Sequence, residues 1–281
     1  MSDRPGTDEI ERAIEAIVEN VLSSPRYRQV CADTVRRIAT LEWTRQATLT
    51  QAIKSTKSKL HQVYGAYESS INYRRAYQDL ERAFVLARTD CSLTEIRLVC
   101  HKLLSFHAST RERLHILDQF FATIFGHTGI PRILLDLACG LNPLALPWMN
   151  LEDDAVYHAY DIDGKRIAFL NRYFALPHVK GEAHLQDILC SPPGERADLA
   201  LLLKTSACLE QQQKGSTLAL LDALNVSWIV VTFPVKSLGR REKGMVKHYE
   251  NVFSEMISGR TWPVTRFAFA TELAFVVEKP G

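Results

Sequence analysis

The sequence predicts an α/β protein: an N-terminal all-helical domain followed by a doubly wound, mostly parallel sheet of the Rossmann-like kind. Three observations carry that prediction. Up to about Gly129 the apolar residues recur at three- and four-residue spacing, with no strand pattern among them. Beyond Gly129-Ile130-Pro131, short and nearly continuous apolar runs alternate with polar helical stretches, which is how parallel strands covered on both faces read. The last two runs lie two residues apart, too close for a crossover, so they must form an antiparallel hairpin.

Taken in order, Thr7 is positioned to cap a first helix whose Ile10, Ile14, Ile17, Val18 and Val21 form one stripe. Ser24 followed by Pro25 reads as an N-cap with proline at the first helical position, opening a second helix with Tyr27, Val30, Cys31, Thr34, Val35 and Ile38 inward. A third is expected from Arg45 to about Tyr64, with Leu49, Ile53, Leu60 and Val63 inward and Lys54, Lys57 and Lys59 outward, interrupted by Gly65. Further helices are expected to start at Asn72, at Ser92 with Glu95 in a capping box, and at Ser109 with Glu112 likewise. The strand-like runs are Arg132–Leu137, Ala155–Asp161, Ala183–Gln186, Ala197–Leu203 and Trp228–Phe233, then Arg266–Ala270 and Leu273–Glu278 for the hairpin. Gly164–Ala175 and Lys214–Leu224 between them read as helices.

The 281 residues, 46% hydrophobic and 23% charged, are those of an ordinary globular protein. No apolar run nears the roughly 20 residues of a membrane span. The polar, acidic start lacks the basic region and apolar core of a secretory signal, so a cytoplasmic protein without membrane partners is expected. The six cysteines (Cys31, Cys91, Cys100, Cys139, Cys190 and Cys208) show neither a CxxC pair nor a Cys/His spacing typical of zinc, and no metal is expected. Net charge is +2, but Arg26 to Lys102 holds fourteen Lys/Arg against seven Asp/Glu. A basic surface there suits anionic nucleic acid; a solvated helical face is the plainer alternative.

Chemistry concentrates at the ends of the runs. The first ends Asp136-Leu-Ala138-Cys-Gly140, where small residues let the backbone approach a ligand at the carboxyl end of the strand. The second ends Asp161-Ile162-Asp163. Asp161 is placed to accept both hydroxyls of a ribose, while one of the two carboxylates should cap the next helix. After the third, Asp187 stands beside Ile188 and Leu189, a carboxylate for an adenine amino group with apolar flanks for its ring. These turns in strand order indicate an S-adenosylmethionine site, and five parallel strands closed by a hairpin make the seven-stranded methyltransferase sheet. The fourth run delivers Lys204, with phosphate or Glu210 as its expected partner, where the methyl donor meets substrate. The fifth delivers Phe233 and a basic loop with Lys236, Arg240, Arg241 and Lys243, which suits a stacked base whose backbone is held by cations.

The segments LDLACGLNPLALPW, HAYDID, LLLKTSACLEQQ and VTFPVKSLGRREKGM closely resemble the aminoglycoside-resistance methyltransferases that modify guanine N7 in the decoding site of 16S ribosomal RNA. The resemblance spans essentially the whole chain and departs at Ala138, where many methyltransferases have glycine. It implies a ribosome-docking domain over 1–107 and a methyltransferase domain over 108–281. It also implies that Arg111 reaches the cofactor carboxylate, that Gly140, Asp161 and Asp187 hold methionine, ribose and adenine in turn, and that no general base acts. Lys54, Lys57, Lys59, Arg74 and Arg75 become the candidates for docking on the 30S subunit, with Lys204 and Phe233 positioning the guanine. A small-molecule methyltransferase, or a non-enzymatic RNA-binding protein on a decayed scaffold, are the competing readings; the first leaves the basic helices without a role and the second predicts no cofactor affinity.

Overall fold

The computed structural model describes residues 7–65, 71–90, 92–235 and 241–280. Helices α1 (Thr7–Leu22), α2 (Ala32–Trp43) and α3 (Leu49–Val63) come first. The α1 stripe Ile14, Ile17, Val18 and Val21 is buried as its spacing predicts, and packs with Val35, Ile38 and Ala39 of α2 in a core of their own.

Two of these helices differ from expectation. Ser24 and Pro25 do not open α2, because the preceding chain is tied to the sheet: Cys31 N donates to Ile162 O at 2.9 Å, Gly164 N to Gln29 O at 2.8 Å, and Val30 bridges Asp163. Those backbone bonds override the local proline signal, and the helix starts one residue after Cys31. In α3 the cap is Thr48, whose hydroxyl accepts from Gln51 N. The inner face is Ala52, Thr56 and Leu60, while Leu49 is exposed: small residues let α3 approach its neighbours closely.

Helix α4 (Tyr73–Asp90) starts as predicted, with the Asn72 side chain accepting from Arg75 N at 3.1 Å. At α5 (Thr94–Leu104) the cap position is Leu93, and Ser92 accepts from Thr94 N instead of closing a box with Glu95. Helix α6 (Ala108–Arg113) begins after His107, which places Ser109 inside its first turn. A 3-10 turn over Leu114–Ile116 leads into α7 (Leu117–Thr128), which ends at Gly129.

The sheet contains β1 (Ile133–Leu137), β2 (Val156–Asp161), β3 (Gly181–Leu185), β4 (Ala197–Leu203), β5 (Val226–Pro234), β6 (Val264–Ala268) and β7 (Glu272–Glu278), in the order β3-β2-β1-β4-β5-β7-β6. Strands β1 to β5 are parallel; β7 lies antiparallel between β5 and β6, the expected hairpin. Alternation places Leu134 in one core and Leu135 in the other, so both faces are covered. Helix α8 (Gly164–Phe174) covers the first face; α9 (Ser206–Gln212), α10 (Ser216–Ala223) and α11 (Arg241–Met256) cover the second. The first face is completed by helices from the N-terminal half, through Leu80 of α4 and Cys100 and Leu104 of α5, all fully buried. No helix among the described residues is long and apolar enough to cross a membrane. The strand order reverses between β1 and β4, and a crevice opens at their carboxyl ends, where sheets of this kind hold ligands.

Candidate active site

The turn leaving β1 forms the floor of that crevice. Ala138 and Gly140 both take left-handed backbone, at φ 53° and 56°. A Cβ on Gly140 would sit 3.0 Å from the His107 ring, so a side chain there would meet a crowded ring as well as left-handed strain. Ala138 holds the same conformation with its Cβ, at a cost of roughly 1–2 kcal/mol. Asp136, just before it, is buried; it accepts from Tyr157 Oη and, at 3.0 Å, from Asn142 Nδ2, and burial pushes its pKa up to about 6.

Asp161 closes β2 and joins the two turns. Its carboxylate accepts from Gly140 N at 3.0 Å, Asp163 N at 3.0 Å and Arg166 Nη1 at 2.8 Å. Asp163 is the helix cap of the pair, accepting from Lys165 N and Arg166 N. Ile162 lines the crevice beside Asp161, as do Asp187, Ile188 and Leu189 from the turn after β3. Asp187 accepts Leu189 N on one oxygen and two nitrogens of Arg37 on the other, at 3.0 and 2.9 Å.

Arg37 belongs to α2, and with Val63 and Tyr64 it brings the N-terminal helices into the wall. Its Nη1 is buried with no hydrogen-bond partner among the described residues, a donor left open to an acceptor on a ligand. Helix α6 adds Ser109 and Arg113, with His107 at its cap. Arg113 is 1% exposed and grips Glu272 with Nε and Nη2 at 2.9 and 2.6 Å while Nη1 donates to Asn142 Oδ1 at 3.0 Å.

Lys204 stands at the end of β4 in left-handed backbone, φ 59°, held by two bonds from its N–H to Thr232. Its ammonium meets Glu112 at 2.9 Å, Glu272 at 3.3 Å and Ser109 O at 3.3 Å. A non-glycine residue strained in this way at a crevice is a candidate functional position. Glu210, its expected partner, is turned away to accept from Gly215 N and Thr217 N at the start of α10, and does not line the crevice.

Two further expectations are corrected. Arg111 is exposed and outside the lining; the helical face that looks inward is His107, Thr110 and Arg113, spaced three apart. Phe233 is 1% exposed and stacks on Tyr249 at 4.8 Å, filling the second core instead of offering a face to a base. Of the basic candidates, Lys54, Arg74 and Arg75 are exposed, Lys59 is half-buried and Lys57 donates to Asn20 Oδ1 at 2.9 Å. Lys236 and Arg240 lie outside the described residues, while Arg241 and Lys243 fall in the first turn of α11, so the expected loop is in part helix.

Sequence reasoning missed Arg37, His107 and Arg113. Arg37 carries no motif; the other two share the three-residue spacing with Thr110 that marks one face of a helix. The lining offers hydrogen-bonding groups and apolar walls. Burial holds the Cys139 thiol well above its ordinary range, so it is no thiolate nucleophile.

His107 gives this region a pH signature. Burial, with Arg166 nearby, lowers its pKa from 6.5 to about 4, so protons prefer the unfolded chain. Its contribution to stability is complete above pH 6.5 and is lost as pH falls toward 4, by about 3 kcal/mol from the 1.36 kcal/mol per unit. His107→Gln is expected to remove that slope from urea-unfolding free energies measured between pH 4 and 7. An unchanged slope would show that other groups set it.

Comparison with known proteins agrees with this geometry. A family model described as "Ribosomal RNA methyltransferase (FmrO)" matches residues 23–276. The chain is similar to a 16S rRNA (guanine(1405)-N(7))-methyltransferase of Micromonospora rosea, 39% identical over 99% of this chain and 100% of that one. Among solved structures it is similar to the 16S rRNA methyltransferase RmtF in complex with S-adenosyl-L-homocysteine, with TM-score 0.79 and 34% identity over 98% of this chain and 100% of that one. It is likewise similar to the 16S rRNA methylase RmtB, with TM-score 0.74 and 32% identity over 95% and 98% of the two chains.

Proposed function

We propose, from the premise that the chain belongs to the FmrO family of ribosomal RNA methyltransferases, that it methylates N7 of a guanine in the decoding site of 16S ribosomal RNA within the 30S subunit. The proposed consequence is aminoglycoside resistance, and the proposed place of action is the cytoplasm. S-adenosylmethionine is the methyl donor, and when bound it supplies an electrophilic methyl group on sulfur. The observation that carries the reading is the meeting of Gly140, Asp161 and Asp187, from the turns after β1, β2 and β3, in one crevice.

These residues fit the cofactor by their chemistry. The Gly140 backbone lines the crevice without a side chain; Asp161, with three of its roughly four lone-pair sites occupied, keeps one for a ribose hydroxyl; Asp187 and the open Arg37 nitrogen offer an acceptor and a donor to a purine edge between Ile188 and Leu189. Arg113 takes over the role expected of Arg111, presenting guanidinium charge on the side of the crevice away from Asp187. Lys204 is assigned to orienting substrate, its ammonium paired with Glu112 and Glu272. It is not a base.

N7 of guanine carries an in-plane lone pair and no proton at neutral pH, so positioning carries the rate and the guanine must leave its stack to meet the donor. The core that α4 and α5 share with the sheet supports a docking unit of α1 to α3 within 1–107, with Lys54 exposed on it and Arg74 and Arg75 flanking it from the start of α4. Single-turnover methylation of intact 30S subunits is expected to be nearly flat between about pH 6.5 and 8.5. The modified guanine should become cleavable by borohydride and aniline, as N7 methylation labilises the ring. Methylation of small substrates but not of 30S, or a product resistant to that cleavage, would overturn the reading.

A further inference from the structure

Strand β3 is the edge of the sheet, and its pairing with β2 places two histidines and a glutamate side by side on one face. His158 is in register with Glu182, and Tyr160 with His184, so the period of two puts all four side chains on the same side. Helix α8 packs on the opposite face, against Tyr157, Ala159 and Ala183. His158 Nδ1 and His184 Nε2 are 3.2 Å apart, and one ring nitrogen of each histidine and a Glu182 oxygen lie within 4.8 Å of one another. A tetrahedral zinc with Zn–N bonds of about 2.0–2.1 Å separates its ligand atoms by roughly 3.3 Å. The two imidazole nitrogens already stand at that separation, and Glu182 is exposed and free to swing in.

From this juxtaposition we propose that His158, His184 and Glu182 form a zinc site at the β2–β3 edge, with water completing the coordination. Its surroundings are built. Tyr160 stacks on His184 at 4.8 Å with 18° between rings, and the Tyr160 hydroxyl is hydrogen-bonded to Glu195, so the ring that orients His184 is itself anchored. The site clips the edge strand to its neighbour just before the chain turns into Gln186 and Asp187 of the crevice. The two histidines are 26 residues apart and on separate strands, which is why no compact Cys/His spacing announces them.

The test is titration of metal-free full-length protein with Co2+ as a visible probe, followed by displacement with Zn2+. One equivalent is expected to give the d–d bands of a low-coordinate nitrogen–oxygen site, lost on adding Zn2+. His158→Gln and His184→Gln should each weaken binding at least tenfold, and Zn2+ should raise the melting temperature of the unaltered protein but not of the double variant. Calorimetry with S-adenosylhomocysteine confirms that the variants are folded. Absence of the bands, thiolate charge-transfer bands placing the ion on cysteines, or equal affinity in the folded variants would overturn the proposal.

Discussion

Glu272→Ala is expected to destabilise the protein by about 3–5 kcal/mol, because it leaves the buried guanidinium of Arg113 without its counter-ion and strips one partner from Lys204. Glu272 is fully buried at the start of β7, between the two cations. Burial by itself would raise its pKa, yet Arg113 and Lys204 outweigh that and hold it below the ordinary carboxylate value. The sign follows: its contribution is present above the unfolded pKa and is lost as pH falls. The effect should be read in urea midpoints, with Arg266→Ala, at the exposed ion pair to Glu250, as a comparison costing about 1 kcal/mol or less. Equal effects from the two would mean that the Arg113–Glu272 fork contributes no more than a surface pair. The double replacement of Arg113 and Glu272 by methionine should recover much of the loss, since it removes the uncompensated charge along with the pair.

Asp161→Ala is expected to lower cofactor affinity by about tenfold to a hundredfold, the lost charge-assisted hydrogen bond to a ribose hydroxyl contributing very roughly 1.5–3 kcal/mol. Its effect also reaches the floor of the crevice, because Asp161 is the acceptor that fixes Gly140 N. Arg166 would keep Asp163 at 3.5 Å, so its charge stays partly compensated and the variant retains a route to folding. Asp161→Asn separates the contributions: its amide oxygen can still hold the Gly140 turn, but it can no longer accept from a hydroxyl as an anion. Calorimetry with S-adenosylhomocysteine is expected to rank native, Asn and Ala in falling affinity. Native-like affinity in a folded Ala variant would remove Asp161 from the cofactor site.

The sheet was legible because parallel strands buried on both faces appear as isolated apolar runs, and every predicted run falls on an observed strand. Strand ends were legible too, since Gly140, Asp161 and Asp187 follow such runs directly. Helix beginnings were less so. Ser24-Pro25 is a sound local signal, but three residues downstream of it are bound to the loop after β2, a contact that sequence spacing does not contain. The same limit hid Arg37, which reaches Asp187 from 150 residues away. Phe233 and Arg111 failed for a different reason. Their sequence neighbourhoods were right, but which way a side chain turns depends on packing: Tyr249 and Phe253 cover Phe233, and the inward face of α6 passes through Arg113.

The Arg37–Asp187 pair has a consequence for how the two halves communicate. Because α2 supplies part of the wall against which a purine would rest, whatever free energy ties α1–α3 to the sheet is altered when that wall is filled. Linkage makes this reciprocal: if engaging the ribosome shifts the position of α2, cofactor affinity must change by the same factor by which the cofactor changes ribosome affinity. Arg37 sits where that coupling would be felt: the factor by which 30S subunits change cofactor affinity must equal the factor by which the cofactor changes 30S affinity, and Arg37→Ala should shrink both alike.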